Sequence, residues 1–283
     1  MPLLIIARLT LFELVRRRVV GAVAALTAIC VGLTGWAFYK LHEFSLAHSS
    51  AAAGGGEEAM ANAMQVILLA HMFGMVLAVG GAFLAAPSIA SDIESGIALA
   101  ILPRPLRRRD VVLGRFLGLA VAIGAYVFIT GALEFSVIHA ITGYAPPHPA
   151  AALAYISSGA VVLLALGIAG STRFSPIAVG IVCVALYGVA WIAQVADAVA
   201  TAYHNGAIRT ACTIVSLIVP TGGLWRGAIF SLEPTLMVAA SAQLTVNPIT
   251  VTSPPTHAYL IWTALWVAGM LVAAIASFER RDV

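Results

Sequence analysis

Apolar residues run through this chain in long blocks, and the polar positions that separate the blocks are crowded together. Uncharged runs cover Val19 to Tyr39, Ala59 to Ser91, Phe116 to Leu133, the stretch from beyond Glu134 to Thr172, Phe174 to Ala196, and Pro234 to Phe278. About 20 apolar residues cross a bilayer as a helix. Trimmed at prolines, glycines and polar clusters, the runs predict six helices at 19–39, 64–88, 116–141, 151–170, 175–196 and 257–277. The sequence Tyr144-Ala-Pro-Pro-His-Pro149 divides the fourth run, because its prolines cannot continue a helix, and it predicts a tight turn. Between residues 197 and 256 the pattern is mixed. Thr210 to Phe230 is apolar enough for a further span, yet Pro220-Thr221-Gly222-Gly223 cuts it and Arg226 follows, which predicts a re-entrant hairpin of two short helices.

Composition narrows this to one class. Of 283 residues, 61% are hydrophobic and only 10% charged, against about 25% charged in an average globular chain. Lipid demands that every backbone group be satisfied internally, and barrel strands would alternate polar with apolar residues. The fold class is therefore all-α, a polytopic membrane protein. Cys30, Cys183 and Cys212 have no CxxC spacing, so neither disulfides nor a metal cluster is expected.

Six crossings put both termini on one side, and positive charge selects the side. Arg8, Arg16, Arg17, Arg18, Arg104, Arg107, Arg108, Arg109, Arg115, Arg173, Arg280 and Arg281, twelve of the 15 basic residues, share the side of the termini, and only Lys40, Arg209 and Arg226 lie opposite. Both termini are expected in the cytoplasm, with the chain in the plasma or inner membrane. The first span is too long for the apolar part of a signal peptide. Ahead of it, residues 1–18 mix aliphatics with arginines, as a helix lying in the cytoplasmic interface would.

The chemistry is informative by what is missing. There is no HExxH, no GxSxG and no GxxxxGK[ST]; Lys40, the single lysine, follows Tyr39. The chain cannot be a P-loop ATPase by itself. A secondary carrier would place several ionisable groups at mid-membrane, and the spans offer only His71, Glu134 and His139, all toward the outer half. His71 and Glu134 fall at similar depth and are candidates to pair with each other or to line an outer vestibule; the alternative is that each hydrogen-bonds a neighbouring helix.

The densest charged segment is Asp92 to Arg115, DIESGIALAILPRPLRRRDVVLGR. Asp92 to Leu102 predicts a short surface helix, and Pro103 and Pro105 force a turn before span three. Glu94 and Gly96, the apolar end Ile101-Leu102, Pro105-Leu106-Arg107-Arg108 and Leu113-Gly114-Arg115 resemble the cytoplasmic element of ABC-2 permeases, the membrane subunits of ATP-binding-cassette transporters. Ile97 stands where Thr is usual, and Arg115 where Lys is usual. The tail Phe278-Glu-Arg-Arg-Asp282 resembles the family's ending. Pro220-Thr221 with Trp225-Arg226 is similar to an external element of permeases used in nitrous oxide reductase maturation, with Gly222 in place of its Asp.

The resemblance implies one transmembrane domain over 1–283, with an interfacial helix at 1–18, a coupling segment at 91–115 and an external segment at 197–256. It implies a permease subunit, of exporter type, that forms a pathway with a second copy and is driven by two cytosolic P-loop ATPase subunits. ATP and Mg would be bound by those partners; this chain would hold no cofactor, touch membrane lipids and bind no nucleic acid. Glu94, Gly96, Arg104, Pro105, Arg107, Arg108, Arg109 and Arg173 are the coupling candidates, His71 and Glu134 the pathway candidates, and Pro220, Trp225 and Arg226 the hairpin candidates. Anchoring of the arginines to anionic headgroups is the competing reading of the coupling set. An intramembrane enzyme and an ATP-independent channel or carrier are the competing functions.

Overall fold

The computed structural model describes residues 2–16, 18–48, 55–88, 107–234, 251 and 253–280. Among these there is no strand. The helices are α1 (Pro2–Arg16), α2 (Arg18–His48), α3 (Gly55–Ala85), α4 (Arg108–Thr142), α5 (Pro149–Ser171), α6 (Pro176–Ala202), α7 (Gly206–Ile218), α8 (Gly222–Leu232) and α9 (His257–Glu279). Six of them, α2, α3, α4, α5, α6 and α9, are long and apolar enough to cross a membrane. α7 and α8 meet at a 97° bend. The chain is a multi-pass membrane protein with a bent helix pair before its last span, as the sequence predicts.

The helices start and stop where local chemistry requires it. Pro149 and Pro176 occupy the first turns of α5 and α6, where the missing N–H costs nothing. Asn205 caps α7 by accepting from the Ile208 N–H, and Thr256 caps α9 by accepting from the Tyr259 N–H. Gly143, in the left-handed region at φ 69°, ends α4. The predicted tight turn after it is pinned: Tyr144 is buried, its hydroxyl donates to the Leu232 carbonyl at 2.9 Å, and the His148 N–H donates to Ser231 at 3.0 Å.

Several helices outrun the expected spans. α4 has 35 residues, about 52 Å at 1.5 Å per residue, against a hydrocarbon core of about 30 Å. Its first two turns, with Arg108, Arg109, Asp110 and Arg115, therefore project from the apolar slab. α2 likewise continues to His48, beyond the expected Tyr39, with Lys40 and Glu43 paired at 2.7 Å.

α5 is the central helix, packed on α3, α4, α6, α8 and α9, and Leu163, Leu164 and Ile168 are fully buried in it. Without a hydrophobic drive between helices in lipid, close packing of small residues takes over. Gly114 and Gly118 form a GxxxG pair on α4 against α1; a Cβ at Gly118 would sit 2.8 Å from the Ala7 carbonyl oxygen, and one at Gly114 2.8 Å from the Ile6 side chain. α1 is thus held on the projecting start of α4, with Leu4, Ile5, Leu9 and Phe12 exposed on its other face.

Candidate functional site

Two ends of the bundle carry polar structure. At the end that holds the termini, the start of α4, the α5–α6 turn and the last turn of α9 converge. Arg108 donates from Nη1 to the Phe278 carbonyl at 2.8 Å and to the Glu279 carbonyl at 3.2 Å, and its guanidinium lies 5.6 Å from the Phe278 ring centre. It satisfies carbonyls that the end of α9 leaves open and complements the helix dipole there. Arg173 donates from Nε to the Ser277 hydroxyl at 2.9 Å, and Thr172 also donates to that hydroxyl at 2.9 Å. Arg107 and Arg109 are exposed beside them, with Arg109 only 3.9 Å from Asp110. Arg107, Arg108, Arg109 and Arg173 are therefore brought to one end of the bundle. Glu94, Gly96, Arg104 and Pro105 lie outside the described residues, as does the short helix expected over Asp92–Leu102.

At the opposite end α8 lies among α3, α5 and α6. Its buried face comprises Gly222, Leu224, Gly227, Ala228, Ile229, Ser231 and Leu232, and Pro220 is fully buried in the bend before it. Trp225 meets the His71 ring edge-on at 4.8 Å between centroids. From the other side Trp191 of α6 donates its indole N–H to His71 Nε2 at 3.0 Å. His71 thus ties α3 to α6 and α8, and its partners are these two tryptophans. Its pairing with Glu134 is not formed: Glu134 Oε2 is buried with no hydrogen-bond partner.

Arg226 points to α6 and contacts Asp197 at 3.4 Å. A cavity of about 260 Å³ opens beside this pair, between α6, α7, α8 and the first turn of α9. Gln194, Asp197, Thr213, Ser216, Arg226 and Tyr259 give it polar walls. Gln194 donates to the Gly222 carbonyl at 3.1 Å, and the Tyr259 hydroxyl accepts from the Gly223 N–H at 3.1 Å, which fixes the start of α8 to both neighbours.

Some of these positions announce themselves in the sequence. Asp197 is the one acid of the α6 run and Gly114-x-x-x-Gly118 has helix-packing spacing, so signals existed for both. Trp191, Gln194 and Tyr259 carry none, because spacing does not say which helix faces which.

An all-α bundle with six apolar spans, a re-entrant pair, a basic rim at one end and a polar recess at the other defines a multi-pass membrane protein. The chain belongs to the ABC-2 transporter family: the model of the ABC-2 family transporter protein matches residues 4–283. Among curated proteins none matches it. Family membership makes the chain an ABC permease, a transporter subunit rather than an enzyme.

Proposed function

We propose that this chain is the permease half of an ATP-driven exporter, working as a dimer with two separate cytosolic P-loop ATPase subunits. The observation that carries the reading is the basic rim, where Arg107 and Arg109 stand exposed on the projecting start of α4, next to the α5–α6 turn and the end of α9. A push on that rim reaches three spans at once. The charge bias of the sequence favours a plasma-membrane orientation with the rim and both termini in the cytoplasm.

In this mechanism the partners bind ATP and Mg, close on each other and move the rim. α4, α5 and α9 transmit the displacement toward α8 and the opposite end, so the pathway between two copies alternates its opening. Glu94, Gly96, Arg104 and Pro105, which come before Arg107 in the sequence, are proposed for the same coupling role. In this reading the arginines divide by role. Arg108 and Arg173 hold the rim together through α9, whereas the exposed Arg107 and Arg109 would meet an acidic surface of the ATPase.

The test is co-purification with the ATPase, followed by transport in proteoliposomes. Arg107→Gln with Arg109→Gln should leave insertion and complex yield intact while lowering transport per ATP hydrolysed about tenfold, the effect of losing about 1.4 kcal/mol of coupling. Unchanged transport in that double variant would return the rim to headgroup anchoring.

A further inference from the structure

The recess beside Asp197 and Arg226 combines three features. First, it is polar and holds both signs of charge, with the two partners in a single 3.4 Å contact and their side chains 27% and 46% exposed respectively. Each therefore retains hydrogen-bonding capacity for a ligand. Second, it lies level with the last turns of α6 and the first turn of α9, at the depth where a span meets the headgroup layer. Third, the helix that walls it is inverted relative to a soluble amphipathic helix. α7 turns Thr213 and Ser216 to the cavity and leaves Ile208, Ile214, Leu217 and Ile218 exposed, and Ile261 and Leu265 of α9 are exposed as well. A polar recess of about 260 Å³ thus opens alongside apolar surface.

We propose that this recess binds a zwitterionic phosphate–ammonium headgroup, with the phosphate on Arg226 and the ammonium on Asp197. Arginine presents paired N–H donors matched to phosphate oxygens, and the carboxylate supplies the acceptor that an ammonium needs. Gln194 keeps its second amide N–H for another phosphate oxygen, and the Thr213 and Ser216 hydroxyls, whose protons go to the Arg209 and Thr213 carbonyls, offer lone pairs to the ammonium. In a lipid bearing this headgroup, the chain would run over the exposed face of α7; a free zwitterion would fill the recess alone.

Cys212 lines the recess and is only 8% exposed, which makes it a reporter of occupancy. With Cys30→Ser and Cys183→Ser in place, Cys212 is the sole thiol, and its maleimide labelling can be timed in a maltoside micelle. Dihexanoyl phosphatidylethanolamine should slow labelling saturably by about tenfold, within what one charge-assisted hydrogen bond supports. Arg226→Gln should abolish protection and Arg226→Lys, which keeps the charge but not the paired donors, should restore only part of it. Asp197→Asn should make the ethanolamine lipid no better than dihexanoyl phosphatidylglycerol. Phosphoethanolamine alone separates the sources: protection at equal concentration identifies a free zwitterion, and protection only by the acylated form identifies a lipid. No protection by either compound, protection undiminished in Arg226→Gln, or equal protection of the parent protein by phosphatidylglycerol would overturn the proposal.

Discussion

Glu233 follows α8 with 3% of its surface exposed, and both of its oxygens accept from the Val251 N–H, at 3.0 and 3.3 Å. Burial raises its pKa from 4.5 to about 7, against the opposing pull of that N–H. Between those values the folded chain keeps a proton that the unfolded chain has released. The stability tied to Glu233 is therefore complete below pH 4.5 and declines as pH rises through about 7. The apparent Tm should fall between pH 5.5 and 8, and Glu233→Gln should flatten that fall and melt higher than the parent at pH 8. A Tm that climbs over the same interval in the parent protein would contradict this. His71 offers a second test of this size. A double-mutant cycle on His71→Ala and Trp191→Phe should return a coupling of about 1 kcal/mol, whereas His71→Ala and Glu134→Gln should add simply, because they share no contact.

At the level of elements, two contacts decide how the terminal end is built. α1 rests on α4 through Gly114 and Gly118, so Gly118→Leu should lift it away, whereas Gly124→Ala, on the same helix with nothing within 4 Å of the added carbon, should be neutral. Thermal melting of the two variants separates these outcomes. Arg108→Gln removes the cap from α9 and should cost on the order of 1 kcal/mol, read as faster amide exchange at Phe278 to Arg280, while Arg107→Gln leaves that exchange unchanged. The existence of each span was legible in the sequence because about 20 uncharged residues in a row have one good solution in lipid. The broken pair was legible because Pro220 and two glycines interrupt an apolar run. Helix ends were not: α2 and α3 run on into polar residues where lipid no longer dictates composition, and i,i+3 pairs such as Lys40–Glu43 support them instead. Pairing across the bundle was invisible too. Depth alone suggested His71 with Glu134, but rotation of α3 about its axis turns the imidazole toward Trp191 and Trp225.

Taken as one molecule, the bundle joins a basic rim to a polar recess through α5, the helix packed against most others. α8 is the part through which the two ends would communicate. Its first turn is held by Gln194 and Tyr259, its middle by Trp225 on His71, and its end by Tyr144. A displacement of α5 or α6 cannot leave it in place. Family membership makes the chain an ABC permease, and the proposed function gives ATP hydrolysis to its partner subunits. The most direct measurement is ATP hydrolysis by the purified chain, alone and again after co-purification with the P-loop ATPase it captures. The expected result is no hydrolysis from the chain alone and transport-linked hydrolysis from the complex, with the linkage lost in the Arg107→Gln, Arg109→Gln double variant. Vigorous hydrolysis by the chain alone, or substrate transport by the chain in liposomes driven only by an ion gradient, would contradict it.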